Sequence, residues 1–243
     1  MAAPDWAMFL DVDGTLVDYA PHPDAVHLPP SLLRTLRTLT EALDGAVALV
    51  SGRAIVDLDR LFAPERFSAA GQHGAEARRD EDYHVFVPSP RVLKEVLVPA
   101  YEMARARPRI RVEDKGLSAT IHYRGAEGQR DTLHDVLRRA IAQSGQEFRL
   151  LASHLAFDIM PVAANKGSAL DWFMSAAPFA GRVPVFVGDD RTDEDGFAAA
   201  IARGGRAIKV GEPKGSVAPW HVEAPQQLHH WLERSLAGLE RRA

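Results

Sequence analysis

The chain has 243 residues, 46% hydrophobic and 26% charged, the balance of a globular protein at a length between one domain and two. No run approaches 18 uncharged apolar residues, and Met1-Ala2-Ala3-Pro4-Asp5-Trp6 has neither a basic nor an apolar segment, so no membrane span or secretory signal is expected. Cysteine is absent, which excludes disulfides, thiolate metal sites and a Cys nucleophile and fits a cytoplasmic location, while a net charge of −4 without a basic block argues against nucleic-acid binding.

A short apolar run at 6–10 ends at Asp11 and predicts a buried strand. A Pro-rich loop follows (Pro21, Pro23, Pro29, Pro30), then a helix to Leu43 with Ser31 as its N-cap. Residues 46–50 predict a second buried strand ending at Ser51-Gly52-Arg53, 54–61 a helix, and 66–70 a third strand. Toward the far end the pattern gives helix 166–176, strand 183–187, helix 193–202, strand 207–210 and a final amphipathic helix at 226–239. Such alternation means an α/β fold, a Rossmann-like parallel sheet with crossovers, whose active groups gather at strand carboxyl ends.

The middle differs. A helix at 91–105, strands at 109–113 and 118–123, a helix at 128–144 and strands at 148–152 and 155–159 give the order αββαββ. Helices and antiparallel hairpins segregate here, so an α+β unit at 88–161 is expected to interrupt a discontinuous core of 1–87 and 162–243.

Four motifs carry chemistry. Asp11-Val12-Asp13-Gly14-Thr15-Leu16 sets two carboxylates at i and i+2 after the first strand; one can attack phosphorus while the other moves a proton. Gly188-Asp189-Asp190-Arg191-Thr192-Asp193-Glu194-Asp195 converges acids after another buried strand, and hard oxygen ligands without His or Cys nearby point to Mg²⁺. Asp189 is the expected ligand, with Glu194 and Asp195 dressing a helix N-terminus. Ser51 at a strand end before a helix can hold a phosphate oxygen. Lys166, one of only five Lys among 29 basic residues, starts a helix, where the macrodipole disfavours a cation unless anions converge on it.

In this order and on these elements, the motifs resemble the haloacid dehalogenase-like phosphatases that carry a large α+β cap between the Ser and Lys motifs. The resemblance covers nearly the whole chain and narrows to the trehalose-6-phosphate phosphatase family of the bacterial sort. It rests on Gly71-Gln72-His73-Gly74-Ala75-Glu76, Val112-Glu113-Asp114-Lys115-Gly116, His122-Tyr123-Arg124 and the Gly188–Glu194 run. One departure stands out: where the family commonly reads Glu, a basic residue, then Pro, this chain has Asp158-Ile159-Met160-Pro161.

The resemblance implies a phosphatase releasing trehalose from trehalose 6-phosphate, with Asp11 as nucleophile and Asp13 as acid and base. It implies Mg²⁺ held by Asp11, the main-chain carbonyl of Asp13 and Asp189, with Asp193 in or near that shell. Ser51, Gly52 and Lys166 would bind the phosphoryl oxygens; Arg53, His73, Glu76, Glu113, Lys115, His122 and Asp158 are the candidates for the sugar, reached by closure of the cap. Lys209 and Lys214 read as surface-loop cations, and a monomer is the default expectation. Competing readings are the same chemistry on sucrose phosphate or a mannosyl-glycerate phosphate, a phosphomutase, and a non-catalytic sugar-phosphate-binding module.

Overall fold

The computed structural model describes residues 3–19, 26–86, 90–145, 147–153 and 155–240. Pro21 and Pro23 of the expected loop, and Pro88 and Ser89 at the expected domain boundary, lie outside them. In chain order the elements are β1 (Trp6–Leu10), α1 (Pro30–Ala42), β2 (Val47–Val50), α2 (Ile55–Leu61), β3 (Ser68–Gly71), β4 (Glu76–Arg79) and β5 (Asp82–Val85). There follow α3 (Pro90–Ala106), β6 (Arg111–Asp114), β7 (Ala119–His122), α4 (Arg130–Gln143), β8 (Phe148–Ser153) and β9 (Ala156–Pro161). The chain closes with α5 (Lys166–Phe173), β10 (Val183–Gly188), α6 (Glu194–Ala202), β11 (Arg206–Val210), β12 (Trp220–Val222) and α7 (Pro225–Glu240).

The chain divides into two units, one of residues Met1–His84 and Asn165–Ala243, the other Val85–Ala164. The first holds a sheet in the order β12-β11-β10-β1-β2-β3-β4-β5. β1 pairs in parallel with both β10 and β2, and β2–β3, β10–β11 and β11–β12 are parallel too. Every residue of β1 and β2 is buried, as expected of strands covered on both faces. From β1 the chain builds outward through β2 and β3 on one side, then returns to β10 on the other. That reversal opens a crevice at the carboxyl ends of β1 and β10, where Asp11 and Asp189 emerge.

Behind the crevice Phe9 packs on Phe173, Phe179 and Phe186, with ring centroids 5.8, 5.5 and 6.5 Å away. This aromatic core fixes the heights of β1, β10 and α5 relative to one another, and so those of the acids and the Lys at their ends.

The structure revises the sequence expectation in three places. Ser31 is not an N-cap: α1 starts at Pro30, with Pro29 in the cap position and no side-chain cap bond. Proline at the first helical position has the right φ and loses no hydrogen bond, so a polar cap is dispensable. β4 and β5, with β3–β4 antiparallel, extend the sheet beyond the expected third strand. β12 adds a three-residue edge on the other side.

The second unit has the order αββαββ and a four-stranded antiparallel sheet, β6-β7-β9-β8. Alternation sorts its residues. Val112, Ile121, Phe157 and Ile159 join Leu93, Leu97, Leu133 and Leu137 of α3 and α4 in one apolar core. Glu113, Thr120 and Asp158 are cross-strand partners, and Arg111 and His122 pair two residues along on the same face. One sheet face is therefore polar, the other apolar. Among the described residues no helix is long and apolar enough to cross a membrane.

Candidate active site

Asp11 directly follows β1, its N–H donating to the Val187 carbonyl of β10 at 2.9 Å. The backbone then folds back at once, with the Gly14 N–H donating to the Val17 carbonyl at 2.7 Å. Gly14 has φ +86°, and a Cβ there would overlap the Asp189 carboxylate. Only glycine lets this turn lie against Asp189.

Lys166 sits at the first position of α5, whose start is closed by a reciprocal capping box between Asn165 and Ser168. Its Nζ lies 2.7 Å from Asp11 Oδ1 and 2.6 Å from Asp193 Oδ1. All three are nearly sealed, at 4% exposure for Asp11, 2% for Lys166 and 0% for Asp193. Burial works against the ammonium charge, but Asp11 and Asp193 outweigh it and hold the Lys166 pKa above its ordinary value. The unfavourable cation at a helix N-terminus is thus compensated by two anions.

Asp193 carries more than Lys166. Its Oδ2 accepts the N–H groups of Asp189 and Asp190, at 3.0 and 2.9 Å. It ties the β10 end to α5, and Gly188 is what makes room, because a Cβ there would overlap the Asp193 carboxylate. Asp189 accepts from Thr15 Oγ1 on Oδ1 at 3.0 Å and from the Tyr19 hydroxyl on Oδ2 at 2.9 Å. Its main-chain carbonyl accepts from Lys209 Nζ. Lys209 was expected on a surface loop; it lies instead within β11, buried and paired with Gly188. Its place in the run Ala207-Ile208-Lys209-Val210 was the available signal, a lone cation inside an apolar strand.

Asp11, Asp189 and Asp193 offer carboxylate oxygens within 4.8 Å of one another. Burial, with Asp193 and Asp189 beside it, pushes the Asp11 pKa up against the pull of Lys166. Burial and Asp193 likewise raise Asp189. Three acids thus converge, with one ammonium paired to two of them. The excess negative charge and the all-oxygen donor set fit a hard divalent cation.

Asp13 meets Arg53, whose Nε and Nη2 each donate at 2.7 Å, one to each carboxylate oxygen. The expectation grouped Arg53 with the substrate contacts; here it grips the second Asp of the motif. Ser51 is buried and its Oγ accepts the Arg53 N–H at 3.2 Å. The 51–53 loop is zipped to the next one: Gln72 N–H donates to the Arg53 carbonyl at 2.8 Å and His73 N–H to the Ser51 carbonyl at 2.9 Å. Gly52 packs against the His73 ring, which a Cβ would strike.

Glu76, a sugar candidate by sequence, is 6% exposed and accepts three hydrogen bonds within its own unit. Oε1 accepts from Ile55 N–H at 2.9 Å and Gln72 Nε2 at 3.1 Å, and Oε2 from the Tyr83 hydroxyl at 2.5 Å. It closes the N-terminus of α2, where Ala54 offers no side-chain cap. Tyr83 on β5 was missed because a strand reading Asp82-Tyr83-His84-Val85 has no apolar run.

In the second unit, Glu113 Oε2 lies 2.9 Å from His122 Nε2 and Glu113 Oε1 3.9 Å from Lys115 Nζ. The His122 hydrogen bond lowers the Glu113 pKa, helped by Lys115 and Arg111. Thr120 Oγ1 donates to Asp158 Oδ1 at 2.7 Å in the next cross-strand pair. The expected Glu113, Lys115, His122 and Asp158 are thereby together on the polar face and its turn. Met160 is buried on β9 opposite Arg149, whose Nη2 donates to the Ala164 carbonyl at 3.1 Å. A cation thus stands across the strand from the position where the sequence lacks one.

A Rossmann-like sheet with its first-strand Asp pair, a Ser at the second strand end, a helix-start Lys and acids after the fourth parallel strand defines a haloacid dehalogenase-like hydrolase. Residues 9–229 match the model of the trehalose-phosphatase family. The chain is 38% identical over 240 residues to the trehalose-6-phosphate phosphatase of Escherichia coli K12, covering 98% of this chain and 89% of that protein. It is 40% identical over 210 residues to a probable trehalose-phosphate phosphatase of Sinorhizobium fredii, covering 86% and 79%. The C-terminal domain of the C. albicans trehalose-6-phosphate phosphatase superposes with a TM-score of 0.81 at 18% identity, over 96% of this chain and 92% of that one. The chain belongs to the trehalose-phosphatase family and is a phosphoric monoester hydrolase.

Proposed function

We propose that the protein hydrolyses trehalose 6-phosphate to trehalose and inorganic phosphate in a Mg²⁺-dependent reaction through an aspartyl-phosphate on Asp11. The observation that carries this is the Asp11–Lys166–Asp193 cluster beside Asp189, with Asp13 two residues from Asp11 and held by Arg53. Mg²⁺ would be held by Asp11, the main-chain carbonyl of Asp13 and Asp189, with Asp193 supporting the set. When bound it would offset the repulsion between an anionic carboxylate and an anionic phosphate and stabilise charge on the phosphoryl oxygens.

In the first step an Asp11 oxygen attacks phosphorus and the bond from phosphorus to the sugar oxygen breaks. Asp13 gives that oxygen its proton, so the sugar leaves as an alcohol. In the second step water attacks phosphorus, the bond to Asp11 breaks, and Asp13 takes the water's proton. Lys166 holds one Asp11 oxygen, which fixes the direction of the other, and supplies charge to the phosphoryl group. Ser51 and Gly52 lie at the end of β2, where a hydroxyl and backbone N–H groups suit the remaining phosphate oxygens. Arg53 aims the Asp13 carboxylate.

The sugar is neutral and rich in hydroxyls, so its recognition calls for paired donors and acceptors. Glu113, Lys115, His122 and Asp158 supply these from one polar sheet face. His73 and Glu76 are assigned to the loop that supports Ser51 and Gly52. The reading places the protein in the cytoplasm, acting as a monomer at the last step of trehalose formation.

Phosphate release from trehalose 6-phosphate, sucrose 6-phosphate and mannosyl-glycerate phosphate, with and without Mg²⁺, tests the assignment. Turnover confined to trehalose 6-phosphate and abolished by chelation is the expected result. Equal rates across the panel would contradict the substrate, and full activity in chelator would contradict the metal.

A further inference from the structure

The Asp189 carboxylate is held by two side-chain hydroxyls from outside the Asp11–Lys166–Asp193 set. Thr15 takes Oδ1 and Tyr19 takes Oδ2. Two donors, one to each oxygen, fix the rotation of a carboxylate about its Cβ–Cγ bond. Thr15 is fully buried inside the motif turn, but Tyr19 is 65% exposed and lies past its end. Nothing about burial obliges Tyr19 to be where it is.

Its position is built nevertheless. The segment from Leu16 to Tyr19 is pinned to α7 twice. His229 Nε2 lies 2.7 Å from the Leu16 carbonyl, and Gln226 Nε2 donates to Asp18 Oδ2 at 2.9 Å. The ring then lies over Gly14, where any Cβ would meet both the Tyr19 ring and the Asp189 carboxylate. Tyr19 and Asp189 also share the wall of a cleft of about 420 Å³ with Lys209, which binds the Asp189 main-chain carbonyl. α7 sets the segment, the segment sets the ring, and the ring's hydroxyl sets Asp189.

We infer that Tyr19 is a positioning residue for the divalent cation: its hydroxyl orients the Asp189 carboxylate, together with Thr15, so that the ion meets a carboxylate already turned toward it. The inference rests on the assignment of Asp189 as a metal ligand. Outer hydrogen bonds of this kind typically change metal affinity by about 10- to 100-fold when removed. Because the donated hydrogen bond leaves lone pairs on Oδ2, Tyr19 and the cation need not compete.

The test is Mn²⁺ binding to the full chain, followed by electron paramagnetic resonance, for the wild type, Tyr19→Phe and Asp189→Asn. Tyr19→Phe removes one oxygen from a mostly exposed side chain, so the metal-free melting temperature should not move. The expected result is a Mn²⁺ Kd raised about tenfold in Tyr19→Phe, with hydrolysis depressed at low Mg²⁺ and recovered at saturating Mg²⁺. Asp189→Asn should lose Mn²⁺ binding, leaving the six-line signal of the free ion at full intensity. An unchanged Kd in Tyr19→Phe overturns the inference while leaving the metal site intact, and a tighter one makes Tyr19 a competitor of the ion and overturns it too. Mn²⁺ binding that survives Asp189→Asn overturns the ligand assignment and the inference with it.

Discussion

Arg53 holds Asp13 by both carboxylate oxygens, at 2.7 Å each, across 40 residues of sequence. A fork of two parallel hydrogen bonds fixes a plane as well as a distance, which a lysine ammonium cannot do. In the proposed mechanism Asp13 delivers a proton to one oxygen and later takes one from another, so its direction bears on both steps. Arg53→Ala should lower kcat by about 100-fold with a smaller effect on KM, the scale of a misplaced acid-base group. Arg53→Lys should not restore it. Steady-state kinetics on the two variants checks this; a rise in KM alone would assign Arg53 to substrate binding.

Lys166 neutralises two sealed carboxylates. Removing one partner of such a group leaves buried charge uncompensated, so Lys166→Met should destabilise the metal-free protein by about 3–5 kcal/mol. Urea unfolding in chelator measures it. Added Mg²⁺ should recover more stability in this variant than in the wild type.

The pH dependence of the metal-free protein follows from Asp11 and Asp189, both raised above the ordinary 3.8 by burial first and neighbouring acids second. The native state then holds protons that the unfolded chain has already released. Stability from these groups is present below pH 3.8 and lost as pH rises through their folded values. Mg²⁺ bound as proposed would displace the same protons. The increase in melting temperature on adding Mg²⁺ should therefore be larger at neutral pH than in the acid range, as thermal scans at several pH values would register.

Glu76 separates two roles that sequence alone runs together. With donors from Ile55, Gln72 and Tyr83, its proposed role is that of a structural acceptor. Glu76→Ala should cost about 1–3 kcal/mol through the unsatisfied buried donors. Tyr83→Phe should cost less, and neither should raise KM in proportion. A KM increase at unchanged stability would return Glu76 to the sugar.

On the polar face of the second unit, Glu113 titrates below its ordinary 4.5 because of the His122 hydrogen bond first and Lys115 next. In His122→Ala its carboxyl carbon, followed by NMR, should titrate closer to 4.5. The same change should raise KM for the sugar phosphate more than it lowers kcat.

The legible parts of this protein were those written locally. The apolar runs before Asp11, Ser51 and Asp189 are buried strands with these residues at their carboxyl ends. Lys166 was legible as an anomaly, a cation at the wrong end of a helix. The segregated hairpins of the second unit were legible from alternation. What escaped depends on partners far away in sequence. β4 is a strand because β3 offers it an edge, and β5 because β4 does; half of their residues are charged. β12 has three residues and no pattern of its own. Arg53 reads as a sugar candidate until Asp13 is beside it, and Tyr19 carries no signal until α7 sets it against Asp189.

The central claim is that Asp11 receives the phosphoryl group. Trehalose 6-phosphate labelled with ³²P, mixed rapidly with the wild-type protein in Mg²⁺ and quenched in acid within the first turnover, tests it most directly. The account predicts hydroxylamine-sensitive label on the peptide carrying Asp11, absent from Asp11→Asn. Label on another residue, or turnover by Asp11→Asn at the wild-type rate, would contradict it.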